Sequence, residues 1–355
     1  MSASASSGGL QIVKNRALVK WIVLLSVGVI LVALLSIILG SVNIPLQDLF
    51  TILKERVGSG STLSETQGKF TSILFDLRIP RTILVILAGA ALATSGGAYQ
   101  GLFQNPLADP YLIGVASGAG LGSIIAMTIQ WPQDMLGYFA VPISAFIGAI
   151  LAVTLVYSLA KVGRTIHNTT LILAGVAISS LSNAITSFLL INAGGELRRA
   201  IVWMMGGSTL IGWKPVIAST PFILLGIGML CSMGYQLNVL QFGDEEAQQM
   251  GTPVKKVRIL IILAASLTTA AAVAFAGTIA FVGLVVPHIL RRLVGNDYRL
   301  ILPLSALGGA IFLMVSDILA RMLLSPQEIP VGVVTILFGA PFFLFILRKT
   351  KRKIW

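Results

Sequence analysis

Acidic side chains are scarce in this chain, yet three of them stand side by side. Only 13 of the 355 residues are Asp or Glu, and Asp244, Glu245 and Glu246 are consecutive within QLNVLQFGDEEAQQMG, residues 236–251. Carboxylates interact favourably with the positive N-terminal end of a helix, and a glycine such as Gly251 is typical of a helix end. The pattern predicts a short, polar, exposed helix between two long apolar segments.

A further carboxylate lies inside an apolar segment. Asp317 in FLMVSDILARML is followed four residues later by Arg321, and residues at this spacing share one face of a helix. Ionisable side chains in such segments are costly unless they are paired. The spacing therefore predicts an ion pair near a helix end, and a proton relay through Asp317 is the alternative.

The remaining reactive groups do not form a recognisable catalytic site. His167 and His288 are far apart and have no carboxylate at ligand spacing, so we predict no metal site. The single cysteine, Cys231, cannot form a disulfide within the chain. The nearest approach to a phosphate-binding loop, LSETQGKFT at 63–71, has Leu63 in place of its first glycine. The sequence predicts no enzyme activity and no cofactor bound by this chain.

Long apolar segments must position these residues. Hydrophobic residues make up 56% of the chain and charged residues 11%, and the mean hydropathy is +0.92. Apolar runs of about 20 residues recur, which is enough to cross about 30 Å of hydrocarbon as a helix. The basic residues behind the net charge of +12 flank these runs, as interfacial anchors do. We predict an all-α polytopic membrane protein, one domain over 1–355, with no nucleic-acid partner.

Ten membrane helices are predicted. Residues 259–290 contain no Asp, Glu, Lys or Arg, and as one helix they would measure about 48 Å at 1.5 Å per residue. Basic residues at both ends indicate that this stretch crosses and returns, with Gly277 as its turning point and Gly283 and Pro287 as breaks in the second arm. The other predicted spans lie near 18–40, 82–103, 111–130, 136–160, 171–193, 215–235, 300–322 and 331–347.

The distribution of basic residues predicts the orientation. With the N-terminus inside, the inner loops and tails hold 16 of the 25 Lys and Arg residues, in agreement with the positive-inside rule. This places a tail at 1–17, a loop at 236–258 and a basic tail at 348–355 in the cytoplasm. The polar connection 41–81, with GSGST at its middle, and a short helix plus turn over 194–213 then lie outside.

Several segments resemble one transporter family, the FecCD-type permeases, which are membrane subunits of binding-protein-dependent ABC importers for iron-siderophores, haem and vitamin B12. The matching blocks keep one order over almost the whole chain. They are RIPR at 78–81, GAALATSGGAYQGLFQNPLADPYLIGVASGAG at 89–120, LILAGVAISS at 171–180, WMMGGS at 203–208, LNVLQFGDEEAQQMG at 237–251, AFAGTIAFVGLVVPHILRRLVGND at 274–297, DILAR at 317–321, and EIPVGVVTILFGAPFFLFIL at 328–347.

The resemblance implies a vitamin B12 importer-like fold of ten helices with short re-entrant helices. It further implies a homodimer with the path at the subunit interface, in a bacterial or archaeal cell membrane, with both termini inside. In this family, short helices in the loop after the sixth span dock into two separate ABC ATPase subunits, which hold the ATP and magnesium. The corresponding residues here are Leu237, Asn238, Gly243, Asp244, Glu245, Glu246, Ala247, Met250 and Gly251.

The resemblance also assigns residues outside this loop. A soluble or lipid-anchored binding protein delivers the cargo, and glutamates on its lobes meet arginines that correspond to Arg78, Arg81 and Arg321. The cytoplasmic end of the path aligns with HNTT at 167–170. The residues carried over as a gate are Asn168, Thr169 and Thr170.

The expected cargo is a ferric siderophore, and haem and cobalamin are alternatives within the same family. Two other classes are less well supported by the residues. An ion-coupled secondary transporter needs a coupling carboxylate in the membrane, for which Asp317 beside Arg321 is poor material. An integral membrane enzyme needs a polar constellation that the sequence does not contain.

Overall fold

The computed structural model describes residues 4–42, 44–57, 65–129, 131–132, 134–162, 165–166, 168–191, 194–207 and 212–351. The helices of these residues are α1 Ser4–Ile38, α2 Leu46–Val57, α3 Glu65–Ser72, α4 Ile79–Leu102, α5 Val115–Met127, α6 Met135–Ala160, α7 Asn168–Ile191, α8 Leu197–Met204, α9 Trp213–Ser232, α10 Gly234–Leu240, α11 Asp244–Gln249, α12 Val254–Ala276, α13 Val282–Val294, α14 Tyr298–Met322 and α15 Val331–Lys351. A π-helical turn, Ile73–Arg78, joins α3 to α4, and 3-10 turns occupy Pro110–Ile113 and Gly194–Glu196.

Each predicted span falls on a helix. In the described part of the chain, seven helices are long and apolar enough to cross a membrane, and two shorter apolar helices, Val115–Met127 and Val331–Ile346, add to them. The remaining predicted span, the second arm of 259–290, corresponds to α13, which has 13 residues. The all-helical membrane fold is confirmed, whereas ten complete crossings stay a prediction. A small exception to the helical fold is an antiparallel hairpin between Lys161–Val162 and Thr165–Ile166.

The connection 41–81 is more ordered than the sequence suggested. Instead of a polar loop, it forms α2, α3 and the π-helical turn, and the last two continue into α4 as one helical stretch, Gln67–Leu102. Ile44, Ile52 and Leu74 bury their side chains in a separate small apolar cluster, which explains why a segment with many polar residues folds. The GSGST sequence at 58–62 lies outside the described residues.

The break in 259–290 is at Gly277, as predicted, but the second arm differs from expectation. Gly277 has φ 77°, and the five residues 277–281 are not helical. Helix α13 then runs without interruption through Pro287, so Gly283 and Pro287 do not break it. The interruption instead ends at Phe281, a non-glycine residue with φ 70°, which is an uncommon backbone conformation for a bulky side chain.

Helix α4 is the centre of the bundle. Nineteen of its 24 residues are buried, and it packs against α12, α13 and α14. At Gly96 an added Cβ would collide with the main chain of Gly283, and at Gly89 with that of Gly309. Glycines at such positions let membrane helices approach closely, so α4 lies in near main-chain contact with α13 and α14.

The antiparallel arrangement of α4 and α14 defines two ends of the bundle. At one end, Arg81 near the start of α4 contacts Asp317 near the end of α14. At the other end, Gly101 near the end of α4 packs against Tyr298 at the start of α14, beside the segment that carries Asp244. We call these the Arg81 end and the Asp244 end.

Candidate coupling and docking surfaces

The acidic cluster lies on the surface of the Asp244 end. Helix α11 begins at Asp244, and Asp244, Glu245 and Glu246 occupy its first turn, where the helix dipole favours negative charge. Gly243 at φ 112° precedes the helix and Gly251 at φ 79° follows it, and such conformations favour glycine. All three acidic side chains are exposed.

Helix α11 is held by an ion pair with the helix that follows it and by one buried side chain of its own. Nη2 of Arg258 donates to both carboxylate oxygens of Asp244, at 3.0 Å each, and the methyl group of Ala247 is fully buried. Asp244 is therefore engaged within the chain, whereas Glu245 and Glu246 present their charge outward. A helix of six residues is too short to be stable alone, so these contacts hold it in place.

The residues assigned to coupling divide into a surface set and an anchoring set. Leu237 is fully buried and packs against Gly101. Asn238 donates from Nδ2 to Asp297 Oδ1 at 2.6 Å, and its Oδ1 accepts from the backbone N–H of Tyr298 at 2.8 Å. These two residues and Ala247 fix the segment to the bundle, and the rest of the set lies at the surface.

Asp297, which accepts this bond from Asn238, caps the start of α14. A hydrogen bond from the Arg299 side chain, together with those from Asn238 and the Arg299 backbone, lowers the pKa of Asp297 to about 2. The carboxylate is thus ionised at neutral pH and holds α10 and the start of α14 together.

The sequence analysis named Met250 but missed two other exposed apolar residues beside the acidic helix, Phe242 and Tyr235. Phe242 is 66% exposed and Met250 is 59% exposed, and they flank α11 on either side. Tyr235 in α10 is also largely exposed. Aromatic and methionine side chains are enriched at the cores of protein interfaces. The signal was present in the sequence, since Phe242 is a large apolar residue within a polar loop.

Charged residues also cluster at the Arg81 end. Arg81 donates from Nη2 to Asp317 Oδ1 at 2.9 Å and from Nη1 to Glu328 Oε2 at 2.6 Å. Arg321 Nε lies 3.0 Å from the other oxygen of Asp317, as the i, i+4 spacing predicts. Asp317 therefore lies between two arginines, and this pairing offsets the cost of burying it.

Two of the three arginines assigned to docking are buried, which corrects the expectation that all three reach the outer surface. Arg78 is 6% exposed, and its guanidinium donates to the carbonyl oxygens of Ile37 and Ile38, at 2.9 and 2.8 Å, and to that of Val42. Arg321 is 3% exposed and donates to the carbonyl oxygen of Ser36 at 3.1 Å. Both arginines satisfy carbonyl groups at or just beyond the end of α1, which have no partner within the helix.

Arg81 is different, because its side chain is 39% exposed. Its partner Glu328 lies in the connection between α14 and α15 and was missed by the sequence analysis, although it is the only acidic residue in that connection. Burial alone would raise the pKa of Glu328, but the charge of Arg81 and hydrogen bonds from Arg81 and Ser41 outweigh it, and the pKa lies below its ordinary value. Glu328 is therefore ionised at neutral pH.

The residues assigned to a gate lie at the start of α7. Asn168 and Thr170 are partly buried and Thr169 is exposed; the preceding His167 lies outside the described residues. The paired residues 161–162 and 165–166 lie in the chain between them and the end of α6, where Tyr157 lies within electrostatic range of Arg258. The three residues thus belong to the Asp244 end.

Possible ligands for a metal ion do not converge in the described part of the chain, where no group of three or more His, Cys, Asp or Glu residues is found. Cys231 is partly buried within α9. Both ring nitrogens of His288 in α13 are buried without a hydrogen-bond partner among the described residues.

Comparisons with known proteins agree along almost the whole chain. The model of the FecCD transport family matches residues 28–349. An uncharacterized ABC transporter permease, YvrB of Bacillus subtilis, is 39% identical over 320 residues, which cover 90% of each chain. The cobalamin import permease BtuC of Halobacterium salinarum is 44% identical over 78% of this chain and 73% of its own. The hemin transport permease HmuU of Yersinia pestis is 37% identical over 93% of this chain and 97% of its own.

The fold also matches a solved structure. A transporter assigned to the metal-chelate type of ABC transporter, in an inward-facing conformation, superimposes with a TM-score of 0.78 at 27% identity. The match covers 94% of this chain and 99% of that chain. The similarity therefore includes the connections at both ends of the bundle as well as the central helices.

Proposed function

Because the chain belongs to the FecCD transport family, and is thus a permease subunit of an ABC importer for metal chelates, haem or vitamin B12, we propose that it carries a ferric siderophore. In this proposal two copies of the chain form the path, two separate ABC ATPase subunits dock at the Asp244 end, and a binding protein docks at the Arg81 end. The chain lies in a bacterial or archaeal cell membrane, with the Asp244 end and both termini in the cytoplasm.

The surface around α11 carries the proposal. It combines two outward-facing carboxylates, Glu245 and Glu246, with the exposed apolar side chains of Phe242 and Met250. The segment is fixed to the bundle through Leu237 and Asn238. A rigid, polar element with apolar anchors at its edges suits docking into a groove on another protein.

The Arg81 end supports a narrower docking surface than the sequence suggested. Arg81 is the member of the assigned trio that a carboxylate from another protein can reach, because its side chain is 39% exposed. Asp317 holds the guanidinium in place at 2.9 Å. Charge pairs at such a surface mainly steer association and set its orientation, so Arg81 positions the binding protein.

The path and the second copy are also part of the proposal. Large apolar side chains are exposed along α7, including Leu173, Val176 and Leu181, and a second copy or lipid is the expected neighbour of such a face. Asn168, Thr169 and Thr170 at the start of this helix are proposed to close the path at the cytoplasmic end.

Haem and cobalamin remain second candidates for the cargo, because two relatives with named cargo are permeases for hemin and for cobalamin. A secondary transporter that uses Asp317 as its coupling group is disfavoured by the observation that Asp317 is paired with both Arg81 and Arg321.

A transport assay tests the proposal. The chain is reconstituted in vesicles with its ATPase and binding protein, and uptake of labelled ferric siderophore, haem and cobalamin is measured with and without ATP. We expect ATP-dependent uptake of the ferric siderophore that does not respond to proton or sodium gradients. ATP-dependent uptake of only haem or cobalamin would replace the cargo assignment, and uptake by the chain alone would overturn the whole proposal.

A further inference from the structure

A chain of hydrogen bonds leads from the coupling segment, residues 237–251, into the interior of the bundle. It starts at Asn238 in α10, whose Oδ1 accepts from the backbone N–H of Tyr298. The hydroxyl of Tyr298 accepts from Nη2 of Arg291 at 3.0 Å, and the same Nη2 donates to Oε1 of Gln100 at 2.9 Å. Arg291 thus joins α14, α13 and α4 at one point.

The chain of hydrogen bonds continues to the first turn of α13, next to the non-helical break. Nε2 of Gln100 donates to the carbonyl oxygens of Gly283 and Leu284, at 3.2 Å each. These two residues belong to the first turn of α13, which follows directly after the break at 277–281. Gln100 is 1% exposed and Tyr298 is 3% exposed, so water does not compete effectively for these bonds.

The break itself is where several other chain segments meet. The hydroxyl of Tyr111 donates to the carbonyl oxygen of Ile279 at 2.9 Å and accepts from the N–H of the same residue at 3.0 Å. The hydroxyl of Thr278 donates to the carbonyl oxygen of Met204 at the end of α8. The neighbouring carbonyl oxygen of Met205 accepts from the N–H of Gly332 at the start of α15.

A glycine with positive φ lies on each side of helix α13. Gly277 precedes the break with φ 77°, and Gly295 follows α13 with φ 85°. Its 13 residues span about 20 Å at 1.5 Å per residue. A short rigid helix between two glycines of this conformation can tilt as a unit, because glycine absorbs changes in backbone angles at little steric cost.

We propose that α13 moves as a rigid helix and transmits a displacement of the coupling segment to the centre of the bundle. In this proposal Arg291 is the residue through which α13 is connected to α14 and α4. Displacement of α10 moves Tyr298 and Arg291, and α13 then shifts the break at 277–281 against α8 and α15. Arg291 and Gln100 act as positioning residues in this proposal, since their effect passes through α13. This inference rests on the proposed docking of an ATPase at residues 237–251.

The test compares Arg291→Gln with Arg292→Gln. Both changes remove one positive charge from the last turn of α13, but Arg292 is exposed and Arg291 is partly buried in the network. The measurement is the number of cargo molecules transported per ATP hydrolysed, in vesicles that contain the ATPase and the binding protein. A purely structural contact changes stability and yield but leaves this ratio unchanged.

We expect Arg291→Gln to lower the ratio by at least about fivefold, the lower range of energetic coupling between sites, while the ATPase still co-purifies. Arg292→Gln keeps the wild-type ratio. Tyr298→Phe removes a single oxygen atom and lowers the ratio in the same direction, so it decides the question if Arg291→Gln does not fold. Gln100→Leu combined with Arg291→Gln is no worse than either change alone, as expected for one network.

Two results overturn the inference. The first is that Arg291→Gln and Tyr298→Phe both transport as many cargo molecules per ATP as the wild-type chain. If Arg291→Gln does not fold, the wild-type ratio in Tyr298→Phe alone is sufficient. The other is an equal loss in Arg292→Gln. Failure of the proposed function is a separate outcome, because the wild-type chain would then neither bind the ATPase nor transport with ATP.

Discussion

At the scale of single residues, the arginines show how a family resemblance and a structure complement each other. The spacing of Asp317 and Arg321 predicts their contact, because i and i+4 share a helix face. Arg81 could not be added from sequence, since 236 residues separate it from Asp317. Nor could the roles of Arg78 and Arg321 at the end of α1, because these bonds depend on where α1 ends relative to α4 and α14.

The exposed pair of Arg81 and Glu328 leads to the first prediction. Docking of a carboxylate onto Arg81 must displace Glu328, so Glu328→Gln removes a competitor within the chain, and Asp317 still holds the guanidinium. We expect the binding protein to bind about two- to fivefold more tightly, because an exposed ion pair contributes up to about 1 kcal/mol. Affinity is measured with the permease in nanodiscs at low salt.

Glu196→Gln is the matched control for this experiment. It removes one negative charge at the same end of the bundle, where Glu196 lies 3.5 Å from Arg199 rather than beside Arg81. We expect little change in affinity for the binding protein, because salt screens the exposed Glu196 and Arg199 from Arg81. Equal tightening by both variants, or weaker docking of Glu328→Gln, would show that Glu328 does not compete for Arg81.

At the scale of elements, α11 gives the second prediction. Glu245→Lys combined with Glu246→Lys reverses the two outward charges, and Asp244 is kept because it pairs with Arg258. Both side chains are exposed, so the variant still folds, although two positive charges in the first turn of α11 are less favourable than two negative ones. We expect co-purification of the ATPase to weaken by about tenfold or more, which corresponds to about 1.4 kcal/mol of binding free energy.

The matched control is Asp76→Lys combined with Glu196→Lys, which makes the same change in charge at the Arg81 end. Neither Asp76 nor Glu196 is buried. This control keeps its ATPase. If the variant with lysines at 245 and 246 retains both the ATPase and full transport, α11 is only a solvated turn.

A second element-scale prediction concerns the crossing of α4 and α13. Gly96→Ala places a methyl group against the main chain of Gly283, whereas Gly120→Ala in α5 meets no atom within 4 Å. Overpacking typically costs about 1–3 kcal/mol, while alanine in an open helical position is favourable by up to about 1 kcal/mol. Thermal unfolding in detergent should show a lower transition temperature for Gly96→Ala only; equal transitions for the two variants would contradict the packing at this crossing.

The elements also show what the sequence could predict. Apolar length predicted the seven helices that are long enough to cross a membrane, because a helix in hydrocarbon must be long and apolar. It failed at 41–81, where Ile52 and Leu74 create a small core from sparse apolar residues. The sequence predicted the turn at Gly277 but not the end of the break at Phe281, because the positive φ of this phenylalanine is imposed by tertiary packing. The side chain of Phe281 lies against Gly339 of α15.

At the scale of the whole molecule, the two ends of the bundle have different chemistry. The Asp244 end presents acidic and apolar side chains around α11, and the Arg81 end presents the partly exposed Arg81 beside the buried Asp317 and Arg321. Between them lies α4, whose glycines bring α13 and α14 close enough for the network around Gln100 and Arg291. An importer needs this division, since it receives cargo at one end and energy at the other.

This division gives the last prediction, which is that the two ends lie on opposite sides of the membrane. Cys231 is the only cysteine, so Cys231→Ser provides a background for single cysteines at two exposed positions, Phe242→Cys and Leu324→Cys. In intact cells, a membrane-impermeant thiol reagent should label position 324 and not position 242. Labelling of position 242 should require opening of the membrane. Equal labelling in intact cells, or the reverse pattern, would place α11 where no cytosolic ATPase can reach it, and the proposed coupling through α13 would then have no source of movement.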